Sequence, residues 1–78
     1  MRKPKMGDWV HYHEKSRHDA PMVTMMALVT EVIANDRVRL AAFHPTEGVR
    51  YPHSTYSSSG GAMYSEKPAA ERWSWPSE

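Results

Sequence analysis

The stretch from Met22 to Phe43 restricts the fold of this chain more than any other feature of its sequence. Its first half, Met22 to Ile33, is rich in β-branched residues, which lose side-chain freedom in a helix and pack well on a pleated sheet. Ala34-Asn35-Asp36 follows, and Asn and Asp tolerate the left-handed backbone that a tight hairpin turn requires. Arg37 to Phe43 then returns with a period of two. We therefore predict a β-hairpin over residues 25–43.

The alternation within this hairpin predicts which side chains form the core. In the returning strand, Val38, Leu40 and Ala42 share the inward face, whereas Arg37 and Arg39 point to solvent. In the first strand, both faces carry apolar side chains. This pattern predicts a central strand that is covered on both faces over part of its length.

Three shorter segments complete the predicted sheet. Trp9 to His13 is rich in aromatic and β-branched residues, Val49 to Tyr51 is a short strand that stops at Pro52, and Trp73 to Trp75 is a last strand. Residues 53–67 lie between the last two strands and are rich in Ser and Gly. Their composition predicts a mobile surface loop.

Five short strands in fewer than 80 residues predict an all-β domain, a small SH3-like barrel of about five antiparallel strands over residues 7–76. A barrel closes the sheet edges that would otherwise favour aggregation of a small β protein. The chain has no cysteine, so neither a disulfide nor a cysteine zinc site can stabilise it. Residues 1–6 are basic and interrupted by proline, which predicts a flexible tail.

The charge distribution limits which partners the whole surface can attract. The formal net charge is +1, and Arg2, Lys3 and Lys5 contribute three positive charges, so the rest of the chain carries about −2. Any general attraction to a polyanion is therefore expected in the tail. The longest mostly apolar run, Met22 to Ile33, is too short to cross a bilayer as a helix, so we expect no membrane insertion.

The residues that could carry chemistry do not form a recognisable catalytic or metal motif. His11 and His13 share one face of their predicted strand, which is the spacing of two metal ligands, but a third ligand would have to come from elsewhere. We favour an exposed polar strand face there and expect no metal. The serines near His53 lie in a Ser/Gly segment without the rigid base and oxyanion hole that a nucleophile needs. We expect no catalytic residue, no cofactor and no enzymatic activity.

Four residues are the predicted partner contacts: Trp75, Tyr51, Arg37 and Arg39. Tryptophan is enriched at binding hot spots, and we expect Trp75 to lie nearer the rim of the domain than Trp73. Arginines with a nearby tyrosine can bind phosphates and stack on bases, so the arginine face also allows nucleic-acid binding.

Four segments of the chain carry a resemblance: Gly7-Asp8-x-Val10-x-Tyr12, Ala27-x-Val29-Thr30-x-Val32, Val38-x-Leu40-x-x-Phe43-x-Pro45 and Trp73-x-Trp75-Pro76. In them the chain resembles a family of small uncharacterised proteins from bacteriophages of actinobacteria. Members of that family resemble SH3-like barrels and often end in Trp-x-Trp-Pro. The resemblance covers roughly residues 7–51 and 73–76, implies the fold, and brings no activity or catalytic residue with it.

Together, these features predict a phage-type accessory protein that works by binding another protein. It would act in the virion or in the cytoplasm of the bacterial host. The alternative is a small nucleic-acid-binding barrel that uses the basic tail and the face of Arg37 and Arg39. Salt separates the two, because polyanion binding weakens steeply as the salt concentration rises.

Overall fold

The computed structural model describes residues 2–15, 19–52 and 61–76. These residues form six β-strands and no helix, so none of them forms a helix long and apolar enough to cross a membrane. The strands are β1 (Trp9–Glu14), β2 (Val23–Ala34), β3 (Arg37–His44), β4 (Gly48–Arg50), β5 (Ala62–Tyr64) and β6 (Arg72–Ser74).

Five of the six strands close into a ring. β1, β2 and β3 follow one another in an antiparallel meander, and the start of β3 pairs with β5. β5 pairs in parallel with β6, and β6 returns to β1 in antiparallel orientation, which completes the barrel. β4 pairs only with the end of β3 and lies outside the ring. The predicted small all-β barrel is confirmed, although one of its pairings is parallel and a sixth strand is present.

β5 was not predicted, because it lies within the segment assigned to a loop. The loop assignment is wrong for Ala62–Tyr64, which pair with Arg37 and Val38 on one side and with β6 on the other. Three residues are too few for an alternating pattern to stand out in the sequence. Residues 53–60, the centre of the predicted mobile loop, lie outside the described residues.

The core takes one side chain in two from each strand that closes the barrel. The inward prediction for β3 is confirmed, since Val38, Leu40 and Ala42 are all buried. The complete core consists of Val10, Tyr12, Met25, Ala27, Val29, Val38, Leu40, Ala42, Ala62 and Trp73. Trp73, from β6, is the largest fully buried side chain of this core.

β2 is central, as predicted, because it pairs with β1 on one side and with β3 on the other. We predicted that both of its faces are covered over part of its length, and on the outward face this holds to the extent that Leu28 is half-buried. Met25, Ala27 and Val29 are buried, whereas Met26 on the opposite face is exposed by 46%. A register shift after Val29 places Val32 opposite the buried Val38, and Val32 is exposed by 40% near the end of the strand. Apolar side chains on both faces therefore indicate here a core on one side and an apolar surface on the other.

The N-terminal segment lies against the barrel at residues 2–6. Pro4 is buried, the backbone N–H of Lys5 donates to the carboxylate of Asp8 at 2.9 Å, and the N–H of Gly7 donates to the carbonyl of Val29 at 2.8 Å. These contacts join the start of the chain to β2. The flexibility of residues 1–6 stays a prediction.

Gly61 permits the close approach of β5 to β3. Its φ is +77°, and a Cβ there would lie 2.7 Å from the carbonyl oxygen of Val38 and 2.9 Å from Cδ1 of Ile33. Gly48 also has a positive φ, of +85°, but open space surrounds it. We expect Gly61→Ala to lower the free energy of unfolding by about 2–4 kcal/mol, and Gly48→Ala by only about 1–2 kcal/mol. Urea unfolding of both variants measures the difference, and equal losses would contradict the clash at Gly61.

Candidate functional site

Three large apolar side chains lie together on the outside of the barrel. Trp9, Met26 and Phe43 come from β1, β2 and β3, and their side chains are exposed by 49%, 46% and 41%. Each is the sequence neighbour of a core residue, so the alternation of its strand directs it outward. Because the alternate residues next to them are buried in the core, these three side chains point to solvent.

Strand register brings the three side chains into one surface. Met26 is opposite Phe43 across β2 and β3, and the rings of Trp9 and Phe43 are 5.8 Å apart at their centroids with 42° between their planes. Together with Met26 they line a shallow depression. Val49, on β4, is opposite Phe43 and is also exposed. We call Trp9, Met26, Phe43 and Val49 the outer apolar face.

The predicted contacts Arg37, Arg39 and Tyr51 do not line this depression. Arg39 is exposed on β3, and its Nη1 lies 3.2 Å from one carboxylate oxygen of Glu31 on β2. Arg37 is half-buried at the start of β3, opposite Met63 of β5. Tyr51 follows β4 and is highly exposed. The structure thus places the two arginines on one strand and pairs Arg39 with an acidic neighbour.

Trp75 lies just after β6. It is half-buried, and its ring meets that of Trp73 edge to face at 5.3 Å, with the guanidinium of Arg2 over it at 4.2 Å. Trp73 is fully buried. The predicted unequal burial of the two tryptophans is therefore confirmed.

A second group of polar side chains lies in a cleft beside β1 and β4. Arg50 forms ion pairs with Glu14 and, at 2.9 Å, with Glu47, while Nε2 of His44 is 3.3 Å from Glu47. Nδ1 of His44 accepts the backbone N–H groups of Thr46 and Glu47, both at 3.1 Å, so the ring proton of neutral His44 is on the Nε2 that faces Glu47. This network joins β4 to β1.

Tyr12 projects into the same cleft from the core. Burial, together with the nearby carboxylates of Glu71 and Glu14, raises the pKa of its phenol to about 12. The phenol is therefore protonated at neutral pH. This pKa is far from the range in which a general acid or base works efficiently.

His13 is the only buried histidine among the described residues, which corrects the prediction of an exposed strand face. Its Nδ1 is 2.9 Å from the hydroxyl of Thr24 on β2, and its Nε2 is 2.7 Å from the hydroxyl of Ser74 on β6. Both ring nitrogens are therefore engaged. Ser74 is itself buried. Within residues 2–15, 19–52 and 61–76, no three His, Cys, Asp or Glu side chains form a group that could hold a metal ion.

The burial of His13 predicts a pH dependence of stability. Desolvation, and to a smaller extent the neighbouring His11, lowers the pKa of His13 below its usual value of 6.5. Between the lowered pKa and 6.5 the unfolded chain binds more protons than the folded one, so stability falls as the pH drops through that interval. The slope is at most about 1.4 kcal/mol per pH unit for this single group.

Thermal unfolding of the wild type and of His13→Gln between pH 7.5 and pH 5 isolates this contribution. Glutamine retains hydrogen-bonding groups and does not titrate, so the variant is expected to have a flatter profile than the wild type over this range. Carboxylates titrate mainly below this range and affect both proteins alike. Parallel profiles would show that His13 does not couple protonation to folding.

Sequence reasoning missed the outer apolar face, although the signal for it was present. Met26 and Leu28 form the second apolar parity of β2, and Trp9 and Phe43 occupy the matching parity on β1 and β3. Only the register between the three strands shows that these positions adjoin one another.

Comparisons with protein-family models, with curated proteins and with solved structures found no match to this chain.

Proposed function

We propose that this chain is a non-enzymatic protein-binding module and that the outer apolar face is its contact surface. One observation carries the proposal. Trp9, Met26 and Phe43 meet on three adjacent strands, yet each exposes between 41% and 49% of its surface. Contiguous exposed apolar patches on small proteins commonly mark the places where another molecule binds.

The size of the face indicates the kind of partner. A tryptophan or phenylalanine buries about 150–250 Å² when fully covered, so half-exposed rings leave roughly 100 Å² each for a partner. The whole face then offers a few hundred Å², less than the ~800 Å² per partner of a standard interface. The face therefore suits the apolar centre of an interface with a polar rim, or a reversible contact with an apolar segment of another protein.

The polar residues of the described chain support a binding role over catalysis. His13 and Ser74 are buried, Tyr12 stays protonated, and Arg50 is held between two glutamates. The nucleic-acid alternative has less support, because the exposed guanidinium of Arg39 pairs with Glu31. On the resemblance to actinobacteriophage proteins, we propose that the module acts in a phage particle or in the cytoplasm of an infected bacterial cell.

The test compares two surface variants of similar chemistry. Met26→Gln with Phe43→Thr removes apolar area from the face and keeps residues that sheets accept. Val32→Thr makes a comparable change at an exposed position of β2 that does not line the face. Each immobilised protein captures partners from a lysate of infected actinobacterial cells, and calorimetry then gives the affinity of the purified partner.

We expect the double variant to stay folded and to bind the partner at least about tenfold more weakly, because centrally placed aromatic anchors carry much of an interface's energy. Val32→Thr should retain the wild-type affinity. Unchanged binding by the folded double variant would contradict the proposal. Capture of nucleic acid that is lost steeply with salt would support the alternative, and sedimentation would show whether a second copy occupies the face.

A further inference from the structure

A second aromatic surface lies where the two ends of the described chain meet. Arg2, Tyr64, Glu66 and Trp75 line one pocket, and the guanidinium carbon of Arg2 is 4.2 Å from the centre of the Trp75 ring. None of these residues belongs to the outer apolar face. The following inference therefore stands apart from the proposed function.

The aromatic wall of this pocket rests on a rigid support. Tyr64 and Trp73 are opposite each other in the parallel pairing of β5 and β6, and their ring centroids are 4.9 Å apart. Trp75 meets the other side of the cluster at 5.3 Å from Trp73. Trp73 is fully buried, and its indole N–H donates to the carbonyl of Asp36 at 3.2 Å. The positions of Tyr64 and Trp75 thus follow from the core, which favours a preformed site.

The pocket combines two features that attract a cation. The faces of indole and phenol rings carry negative electrostatic potential, and a guanidinium within about 6 Å of a ring centroid is stabilised by it. Glu66 adds a carboxylate to the same pocket. A planar guanidinium can stack on an aromatic ring while its N–H groups face a carboxylate, which a compact ammonium cannot do.

Arg2 already shows that a guanidinium fits over Trp75. The backbone of Arg2 precedes the anchored part of the N-terminal segment. That anchored part begins at the buried Pro4. The Arg2 side chain is exposed, so it can swing into solvent while Pro4 and Lys5 stay in place. An exposed cation–π contact is weak, and a second guanidinium can therefore compete for the ring.

We infer that the pocket formed by Tyr64, Glu66 and Trp75 is a guanidinium-binding site, that Arg2 is its internal occupant, and that an arginine side chain of a partner protein displaces Arg2. The internal arginine lowers the apparent affinity of the site for any other guanidinium, since the two compete for the same ring. Removing Arg2 should therefore strengthen the binding of another guanidinium at this site, whereas removing a contact residue would weaken it.

The test uses ethylguanidinium chloride as the probe, with urea as its uncharged analogue and sodium chloride as the ionic control. Binding is followed by two-dimensional nitrogen–proton NMR of the Trp75 indole and the backbone amides of Tyr64 and Glu66. The proteins are the wild type, Arg2→Ala, and Arg2→Ala with Glu66→Gln. A thermal melt at each probe concentration shows that the domain stays folded.

We expect Arg2→Ala to bind ethylguanidinium about two- to fivefold more tightly than the wild type, the range that corresponds to one exposed cation–π contact. Adding Glu66→Gln should weaken that binding at least about threefold, since it removes the carboxylate. Equal affinities in the wild type and in Arg2→Ala would overturn the internal-occupant inference. Shifts that urea or sodium chloride reproduces, or that appear equally at Trp9, would overturn guanidinium recognition at this pocket.

Discussion

Trp73→Ala is expected to abolish cooperative folding of this domain. Trp73 has the largest fully buried side chain of the described residues and contacts both Tyr64 and Trp75. Truncating a buried tryptophan costs about 3–5 kcal/mol, which is comparable to the whole stability that one small core supplies. The hydrogen bond from its indole to the carbonyl of Asp36 is lost as well. Thermal melts by circular dichroism, together with the dispersion of the NMR spectrum, measure the effect.

The other two tryptophans provide matched controls. Trp75 is half-buried and Trp9 is 49% exposed, so their truncation removes fewer packing contacts. We expect losses of about 1–2 kcal/mol for Trp75→Ala and less than about 1 kcal/mol for Trp9→Ala. The order of the three losses is the result to check. A cooperatively folded Trp73→Ala, or a larger loss at Trp75 than at Trp73, would contradict the position of Trp73 in the core.

Leu40→Ala is expected to lower the free energy of unfolding by about 2–5 kcal/mol. Leu40 is 2% exposed on β3 and is opposite the buried Val29 of β2. Removing its isobutyl group leaves a cavity that the neighbouring strands cannot fill, because their register is held by backbone hydrogen bonds. Urea unfolding at neutral pH gives the loss directly, and an unchanged slope against urea shows that the unfolded state is the same.

Leu28→Ala is the matched control for Leu40→Ala. Leu28 has the same side chain on β2 but lies on the outward parity, opposite Trp9 and Ala41, and is half-buried. Its truncation should cost about 1–2 kcal/mol, since part of the side chain is already in water. Equal losses at the two leucines would mean that the assignment of inner and outer faces is wrong.

The hairpin of β2 and β3 could be predicted from the local sequence pattern. Asn35 and Asp36 marked the turn, and the alternation of Arg37 to Ala42 marked the inward face of β3. Both signals depend on residues that are neighbours along the chain. A strand alternates its side chains with a period of two wherever it occurs, so the prediction needed no knowledge of the rest of the molecule.

β5 and the outer apolar face needed the tertiary structure. Ala62–Tyr64 becomes a strand because Val38 and Trp73 lie on either side of it, and three residues have no pattern of their own. The outer apolar face joins Trp9 to Phe43, which are 34 positions apart in the chain. They lie on the strands either side of β2, where Trp9 is opposite Leu28 and Phe43 is opposite Met26. Such contacts depend on register, which single-strand periodicity does not specify.

His13 shows the same division at the level of one residue. The sequence by itself determined that His13 shares a strand face with His11 and Trp9, and it determined the all-β class, the turn at Asn35 and the inner face of β3. Only the tertiary structure decided that His13 is buried between Thr24 and Ser74 while Trp9 is half-exposed on the same face of the same strand. The physical reason is that alternation sets the direction of a side chain, whereas the strands and loops that meet above it set whether water reaches it.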